Sequence, residues 1–413
     1  MSNQGIRISL NGREMVVDKG TRIEDLVRDL KGKKGSQIVA AVVNNEIREL
    51  TFPIEQECII TPVDLSSADG IRIYQRSLKF LLIKAVHDLF PDKELQVRHS
   101  VRRGVFFEIV DYKVTAEDVE RLERRMRELV DQDHRYVKRV VSIDEARKIF
   151  LDQGREDRYR ALEFREKDYV SIYTFDDIED YFYGYMVPST GYLKLFGLAA
   201  ENDGIVLIVP KKGNPTRLPD VTLPKQLFDV FTEYTNWIRI LGVEDVGMLN
   251  DVVKSGRIHE FILISEALHE KRIANIADMI VNQKKRIILI AGPSSSGKTT
   301  FARRLGIQLK VNGIKPLTIS VDDYFVDKTR TPLDEDGKPD YESLETVDLE
   351  FFNKSMNALL KGEEIDVPTF NFITGKREFN GRKMKLDEGC AVIIEGIHAL
   401  NPRLTSDIDD ADK

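Results

Sequence analysis

Lys285 to Thr300 reads KRIILIAGPSSSGKTT, and the rest of the chain is organised around it. Arg286 to Ala291 is a short isoleucine-rich run, too short for a helix and closed by Gly292-Pro293, so it predicts a strand buried in a parallel sheet. GPSSSGKT, Gly292 to Thr299, matches G-x-x-x-x-G-K-[ST] at every fixed position. Thr300 to Lys310 predicts the helix the pattern needs after it, with Phe301, Leu305 and Leu309 on one face and Asn312-Gly313 as its stop. Gly292 and Gly297 let the backbone turn its N–H groups inward at a positive helix end, a nest for anionic oxygens. The expected nucleotide contacts, with ATP or else GTP, are Gly292, Pro293, Ser294, Ser295, Ser296, Gly297, Lys298, Thr299 and Thr300. Lys298 would meet the transferred phosphoryl group and the Thr299 hydroxyl would ligate Mg²⁺. The loop alone leaves open whether the acceptor is water or an alcohol.

With 413 residues the chain has room for about two to four domains. Hydrophobic residues at 42% and charged ones at 32% describe a folded chain, not a disordered one. A net charge of -7 argues against a surface that binds nucleic acid all over, while leaving local basic patches. Two cysteines, Cys58 and Cys390, are too few for a disulfide framework or a thiolate metal site, which points to a reducing, cytoplasmic setting. No apolar run approaches membrane-spanning length, so no membrane partner is expected.

From the start, Ile6 to Leu10 alternates like a strand, Asn11-Gly12 is a hairpin turn and Glu14 to Val17 returns. Thr21 and Glu24 have the spacing of a capping box, predicting a helix through Leu30. Strands follow at Ile38 to Val43 and Cys58 to Pro62, with Asn44-Asn45 as a turn. This small β-grasp pattern resembles the TGS domain of threonyl-tRNA synthetases, which implies docking and no chemistry.

RSLKFLLIKAVHDLFP (Arg76 to Pro91), the helices expected from Thr115 through Val130 and from Ser142 to Phe150, and VPSTGYLKLFGL (Val187 to Leu198) resemble the second additional domain of threonyl-tRNA synthetase. In that family a metal-type set of histidines and a cysteine edits mischarged tRNA. Aligned on those motifs, the four positions hold Phe80, Lys84, Phe182 and Met186. These side chains give a metal no proper ligand set, so the departure implies no zinc and no editing; the resemblance still implies contact with RNA or tRNA. The Tyr-rich run YFYGYMVPSTGY is expected to pack, and Arg98, His99, Arg102 and Arg103 to form a solvated basic face. From Arg217 onward two amphipathic helices, one carrying Leu227, Phe228, Phe231, Tyr234, Ile238 and Leu241 and the other about His259 to Val281, are expected to connect to the last domain and pack on it.

Past the phosphate loop, Pro316 to Ser320 predicts a second buried strand that delivers Asp322, Asp323, Tyr324 and Phe325 at its carboxyl end, where open α/β sheets hold ligands. Ala391 to Leu400, AVIIEGIHAL, predicts a third, with Glu395 near its end and His398 beyond it, the latter expected to be structural. Together with PDYESLETVDLEFF (Pro339 to Phe352) and VPTFNFITGKRE (Val367 to Glu378), these stretches resemble the uridine kinase and phosphoribulokinase family. The resemblance implies Asp322 as catalytic base beside Lys298, Glu342 as a ribose contact, Tyr324 and Phe370 at the substrate, and Thr299, Asp322 and Glu395 around Mg²⁺. Phe370 and Asn371 stand where the family has Tyr and Asp, which departs from its pyrimidine recognition. Family members continue with an arginine-bearing lid and further strands, whereas here RLTSDIDDADK follows Asn401-Pro402, so a truncated kinase domain is expected.

The expected fold is thus α/β and α+β multidomain: a TGS-like β-grasp over 1–68, a synthetase-like α+β domain over 69–215, a helical connector over 216–284 and a P-loop kinase domain over 285–413. The expected function is ATP-dependent phosphoryl transfer to a nucleoside, with oligomer formation left open. The alternatives are an RNA-binding protein switched by a nucleotide and a kinase of another small alcohol.

Overall fold

The computed structural model describes residues 5–101, 104–219, 225–333 and 337–413. Its contacts fall into two compact units, Met1–Ile258 and His259–Lys413.

The first unit opens with β1 (Gly5–Leu10), β2 (Arg13–Asp18), α1 (Ile23–Val27), β3 (Ile38–Val43), β4 (Glu46–Arg48) and β5 (Cys58–Asp64). Strand order is β2-β1-β5-β3-β4, with β1 and β5 parallel and the other pairs antiparallel, a β-grasp. Asn11 and Gly12 both take positive φ, 50° and 82°, as a tight hairpin of the favoured hand requires. The expected capping box does not form. Thr21 Oγ1 donates to Asp18 O at 2.7 Å, and the Glu24 carboxylate takes two bonds from the Arg135 guanidinium at 2.8 and 2.6 Å. A bidentate charged pair outcompetes a single bond to a backbone N–H, and α1 stops at Val27.

Next come α2 (Ala68–Leu89), β6 (Leu95–Val101), β7 (Gly104–Ile109), α3 (Ala116–Gln132), β8 (Val137–Ser142), α4 (Ile143–Asp152), α5 (Glu156–Glu163), β9 (Tyr169–Phe175), β10 (Ile178–Tyr181), β11 (Gly197–Glu201) and β12 (Gly204–Ile208). They build two antiparallel sheets, β11-β12-β7-β6 and β10-β9-β8. Thr115 and Asp118 close a full capping box on α3, while Ser142 caps α4 by accepting from Glu145 N. Phe182 and Tyr185 pack on the core as expected, but Tyr183 is exposed.

The unit ends with α6 (Lys225–Leu241) and α7 (Val246–Lys254). Of the two helices expected to pack on the last domain, the first packs elsewhere. Phe228 of α6 packs with Val101, Phe106, Val206 and Ile208 of the four-stranded sheet, and α7, capped by Asp245, went unforeseen. Of the expected basic face, Arg98 Nε donates to Glu108 at 2.6 Å and the His99 ring stacks on Phe231 at 3.6 Å, so these two are not free in solvent, while Arg102 and Arg103 lie outside the described residues.

The second unit holds α8 (Ile258–Asn282), β13 (Ile287–Ala291), α9 (Lys298–Val311), β14 (Lys315–Ser320), α10 (Leu349–Leu360), the short pieces β15 (Ile365–Asp366), β16 (Thr369–Asn371), β17 (Lys376–Glu378) and β18 (Lys383–Met384), and β19 (Cys390–Gly396). β13, β19 and β14 form a parallel sheet with β19 in the middle. Val392, Ile393 and Ile394 are fully buried, as a central strand covered on both faces requires. Ile393 meets Ala302, Leu305 and Leu309 of α9 with Ile273 and Ala277 of α8; Val392 and Ile394 meet Phe352, Met356 and Leu359 of α10. Among the described residues no helix is long and apolar enough to cross a membrane.

Candidate active site

The three parallel strands deliver their carboxyl ends together. Glu395 of β19 is in register with Ile290 of β13 and Ser320 of β14, so the loop after β13, the turn after β14 and the end of β19 are neighbours. That end of an open α/β sheet is where its ligands bind.

The loop from Gly292 to Gly297 turns on two left-handed residues, Ser295 at φ 61° and Gly297 at φ 87°, before α9 starts at Lys298. A Cβ on Gly292 would lie 2.7 Å from Ser296 Oγ, so a side chain there would disturb the curl. Lys298 Nζ donates to Pro293 O at 3.0 Å and so spans the loop's mouth. The side chains of Ser294, Ser295, Ser296 and Thr300 are exposed at its rim. Thr299 Oγ1 donates to Glu395 Oε1 at 3.0 Å, tying the first turn of α9 to the central strand.

Asp322 sits in the 3-10 turn Val321–Tyr324 that follows β14. Burial pushes its carboxyl above the usual aspartate range, the Glu395 charge pushes further, and Lys298 and His398 pull the other way. Asp323 turns aside, toward Phe370 N at 3.5 Å and the Arg382 guanidinium at 3.6 Å, and burial raises its carboxyl too. The buried Glu395 and half-buried Asp322 carboxylates with the Thr299 hydroxyl are an all-oxygen set of the kind a hard divalent cation takes. Among the described residues no three His, Cys, Asp or Glu side chains converge to hold a metal unaided; Mg²⁺ characteristically uses one or two carboxylates, with waters and phosphates completing its shell.

The residues expected at the acceptor divide. Glu342 is exposed, and its carbonyl is bonded by His398 Nε2 at 2.8 Å, which brings Glu342 beside the end of β19. Phe370 belongs to a ring cluster, 5.5 Å from Phe325 and 5.0 Å from Phe372, with Tyr341 stacked 6.1 Å from Phe325. Tyr324 is a correction. It is fully buried between Phe351 and Phe352, and burial pushes its phenol up to about 12. In a 3-10 turn, residues two apart do not share a face, so Asp322 and Tyr324 point apart. His398, expected to be structural, makes its bond to a backbone carbonyl, that of Glu342.

In the first unit the four altered positions also come together, as core. Phe80 is completely buried, 5.1 Å from Phe182 and 5.6 Å from Tyr136, and Met186 lies in the same cluster. Lys84 donates to Asp88 at 2.7 Å and to Asp177. Burial pulls its pKa down, but these bonds win and lift it. Phe80 and His87 line a cleft of about 1600 Å³.

Comparison with known proteins agrees with this division. Residues 287–409 match the phosphoribulokinase / uridine kinase family. The chain is 28% identical over 197 residues to the threonine–tRNA ligase of Oleidesulfovibrio alaskensis, a match covering 47% of this chain and 30% of the ligase. It is 30% identical over 192 residues to that of Thermotoga neapolitana, covering 46% and 29%. The match thus spans less than a third of the length of these ligases. A possible uridine kinase from Bacillus stearothermophilus overlays with a TM-score of 0.29 at 23% identity, covering 34% of this chain and 77% of that one. The C-terminal region is thus similar to the phosphoribulokinase and uridine kinase family. The N-terminal half is similar to threonine–tRNA ligases.

Proposed function

We propose that the second unit transfers the terminal phosphoryl group of ATP to the hydroxyl of a small acceptor of the nucleoside class. The observation that supports this most is the meeting of Lys298, Thr299, Asp322 and Glu395 at one end of the parallel sheet. Lys298 and the loop N–H groups hold phosphoryl oxygens. Asp322 accepts the proton of the acceptor hydroxyl as that oxygen bonds phosphorus, and the bond from phosphorus to the departing diphosphate oxygen breaks. Thr299, Glu395 and Asp322 are the residues that would hold Mg²⁺, which when bound neutralises charge on the phosphoryl oxygens.

For the acceptor, the exposed ring of Phe372 and the half-buried ring of Tyr341, backed by buried Phe325 and Phe370, favour a flat group held by its faces. Asn371 is spent on its own hairpin: its Oδ1 accepts from Ile373 N at 3.0 Å and Thr374 N at 3.2 Å, and its Nδ2 donates to Glu378 at 3.0 Å. A base would therefore be stacked more than read along its edge. The test is acceptor-dependent ADP formation across a nucleoside panel. Asp322→Asn is expected to lower it by ~10²–10⁴-fold with nucleotide affinity retained, and undiminished turnover would remove Asp322 as the base.

We infer as well that the N-terminal half contacts RNA, on the strength of its similarity to the ligases. Retention of tRNA that weakens steeply with salt is the expected behaviour, and retention indifferent to salt would count against it.

A further inference from the structure

A second cavity, of about 460 Å³, lies at the other end of the parallel sheet, where β13, β14 and β19 begin. That volume is in the range of small-molecule sites. Two helices end beside it in the same way. α8 closes with Lys285 N donating to Ile280 O at 3.1 Å and Lys284 N to Val281 O at 3.0 Å; α10 closes with Glu363 N to Ala358 O and Gly362 N to Leu359 O, both at 2.9 Å. In this kind of stop the residue just past the helix is left-handed, a place suited to glycine. Gly362 fills it after α10 at φ 79°, but after α8 it is Lys284 at φ 54°. Glycine would close α8 with less strain.

Lys284, Lys285, Arg286 and Lys361 all line the cavity. The hydrogen bonds seen for them there go to backbone carbonyls: Lys285 Nζ to Asp410 O at 3.2 Å and Ala411 O at 3.0 Å, and Arg286 Nη1 to Leu360 O at 3.1 Å. The acids on the rim are Asp387, which lies 3.7 Å from Lys385, and Glu388. Basic residues ordinarily answer the partial charge at helix C-termini, but two such ends carry only about half a negative charge each. Asp410 also acts on Lys285, which leaves Lys284 and Lys361 as the lining lysines without an ion pair among the described residues. Beneath the rim the wall is apolar, with Ile280, Ile314, Leu360 and Leu386.

We propose that this cavity binds a small organic anion, one carboxylate or phosphate group on an apolar body, at a site separate from the phosphate loop. The head group meets Lys284 and Lys361, and the body covers the apolar wall. The test is calorimetric titration of the full chain with phenyl phosphate, benzoate and inorganic phosphate, in a Lys298→Ala background that weakens anion binding at the phosphate loop. Phenyl phosphate or benzoate is expected to bind one to one, and the tighter of the two names the head group. Adding Lys284→Gly and Lys361→Gln is expected to weaken that binding tenfold or more. The thermal midpoint should not fall, because glycine suits the left-handed position, so lost binding is separable from lost folding. The proposal is overturned by absence of binding in the Lys298→Ala protein, by equal affinity with and without the two further substitutions, or by inorganic phosphate binding as tightly as phenyl phosphate.

Discussion

Around Phe80 and around Asp322 the chain brings polar-site positions together, and it resolves them in opposite ways. In the first unit two rings and a thioether fill the space, and the one charge, on Lys84, is matched by Asp88 and Asp177. In the second unit Asp322 and Glu395 are packed close with Lys298 and His398 as the opposing charges, and Asp322 is left with its carboxyl raised. A place that only has to hold the fold satisfies its charges internally. A place that has to receive a polyanion and its counter-ion keeps charge poorly neutralised until they arrive.

Three substitutions would break or sharpen this contrast. Phe80→Ala is expected to have the largest effect on stability, about 3–5 kcal/mol, read from denaturant unfolding of the first unit, because the ring is fully buried. A loss under 1 kcal/mol would mean that the cleft collapses freely and is not core. Lys84→Ala is expected to cost less, about 1.5–3 kcal/mol, since Asp88 keeps its bond from Arg125 Nε at 2.8 Å.

Asp322→Asn has the smallest expected effect on stability, and the opposite sign. The folded carboxyl is raised above its ordinary 3.8, so just above that pH the folded protein holds a proton that the unfolded chain has lost. Stability contributed by this group is therefore present at low pH and lost as pH rises through the raised value. Asn should raise the thermal midpoint at pH 7, with the gain vanishing near pH 3. A lower midpoint at pH 7 would show Asp322 to be a structural aspartate. By the same shift, phosphoryl transfer should fail on the acid side at a pH above that of an ordinary aspartate.

The parallel strands and the phosphate loop were legible because local pattern and tertiary role coincide: an apolar run, two glycines and a helix start occupy one short segment. Glu395 and Asp322 were legible for the same reason, standing at strand ends. Tyr324 was not, because adjacency along a 3-10 turn says nothing about which side chain faces the core. Nor was the true partner of Glu24. Its spacing from Thr21 fits a capping box, and only the fold supplies an arginine over a hundred positions away. The two helices after Arg217 were read correctly as helices, but an amphipathic pattern names an apolar face without naming what covers it, and α6 found the four-stranded sheet.

β19 follows β13 and β14 in sequence yet stands between them, and among the described residues they are joined through it. During synthesis, then, the loop after β13 leaves the ribosome well before the strand that joins β13 to β14. The nascent chain carries two apolar strands without their shared neighbour until residue 396 emerges and slots between them, so a stall before that point would leave a chain prone to capture by chaperones.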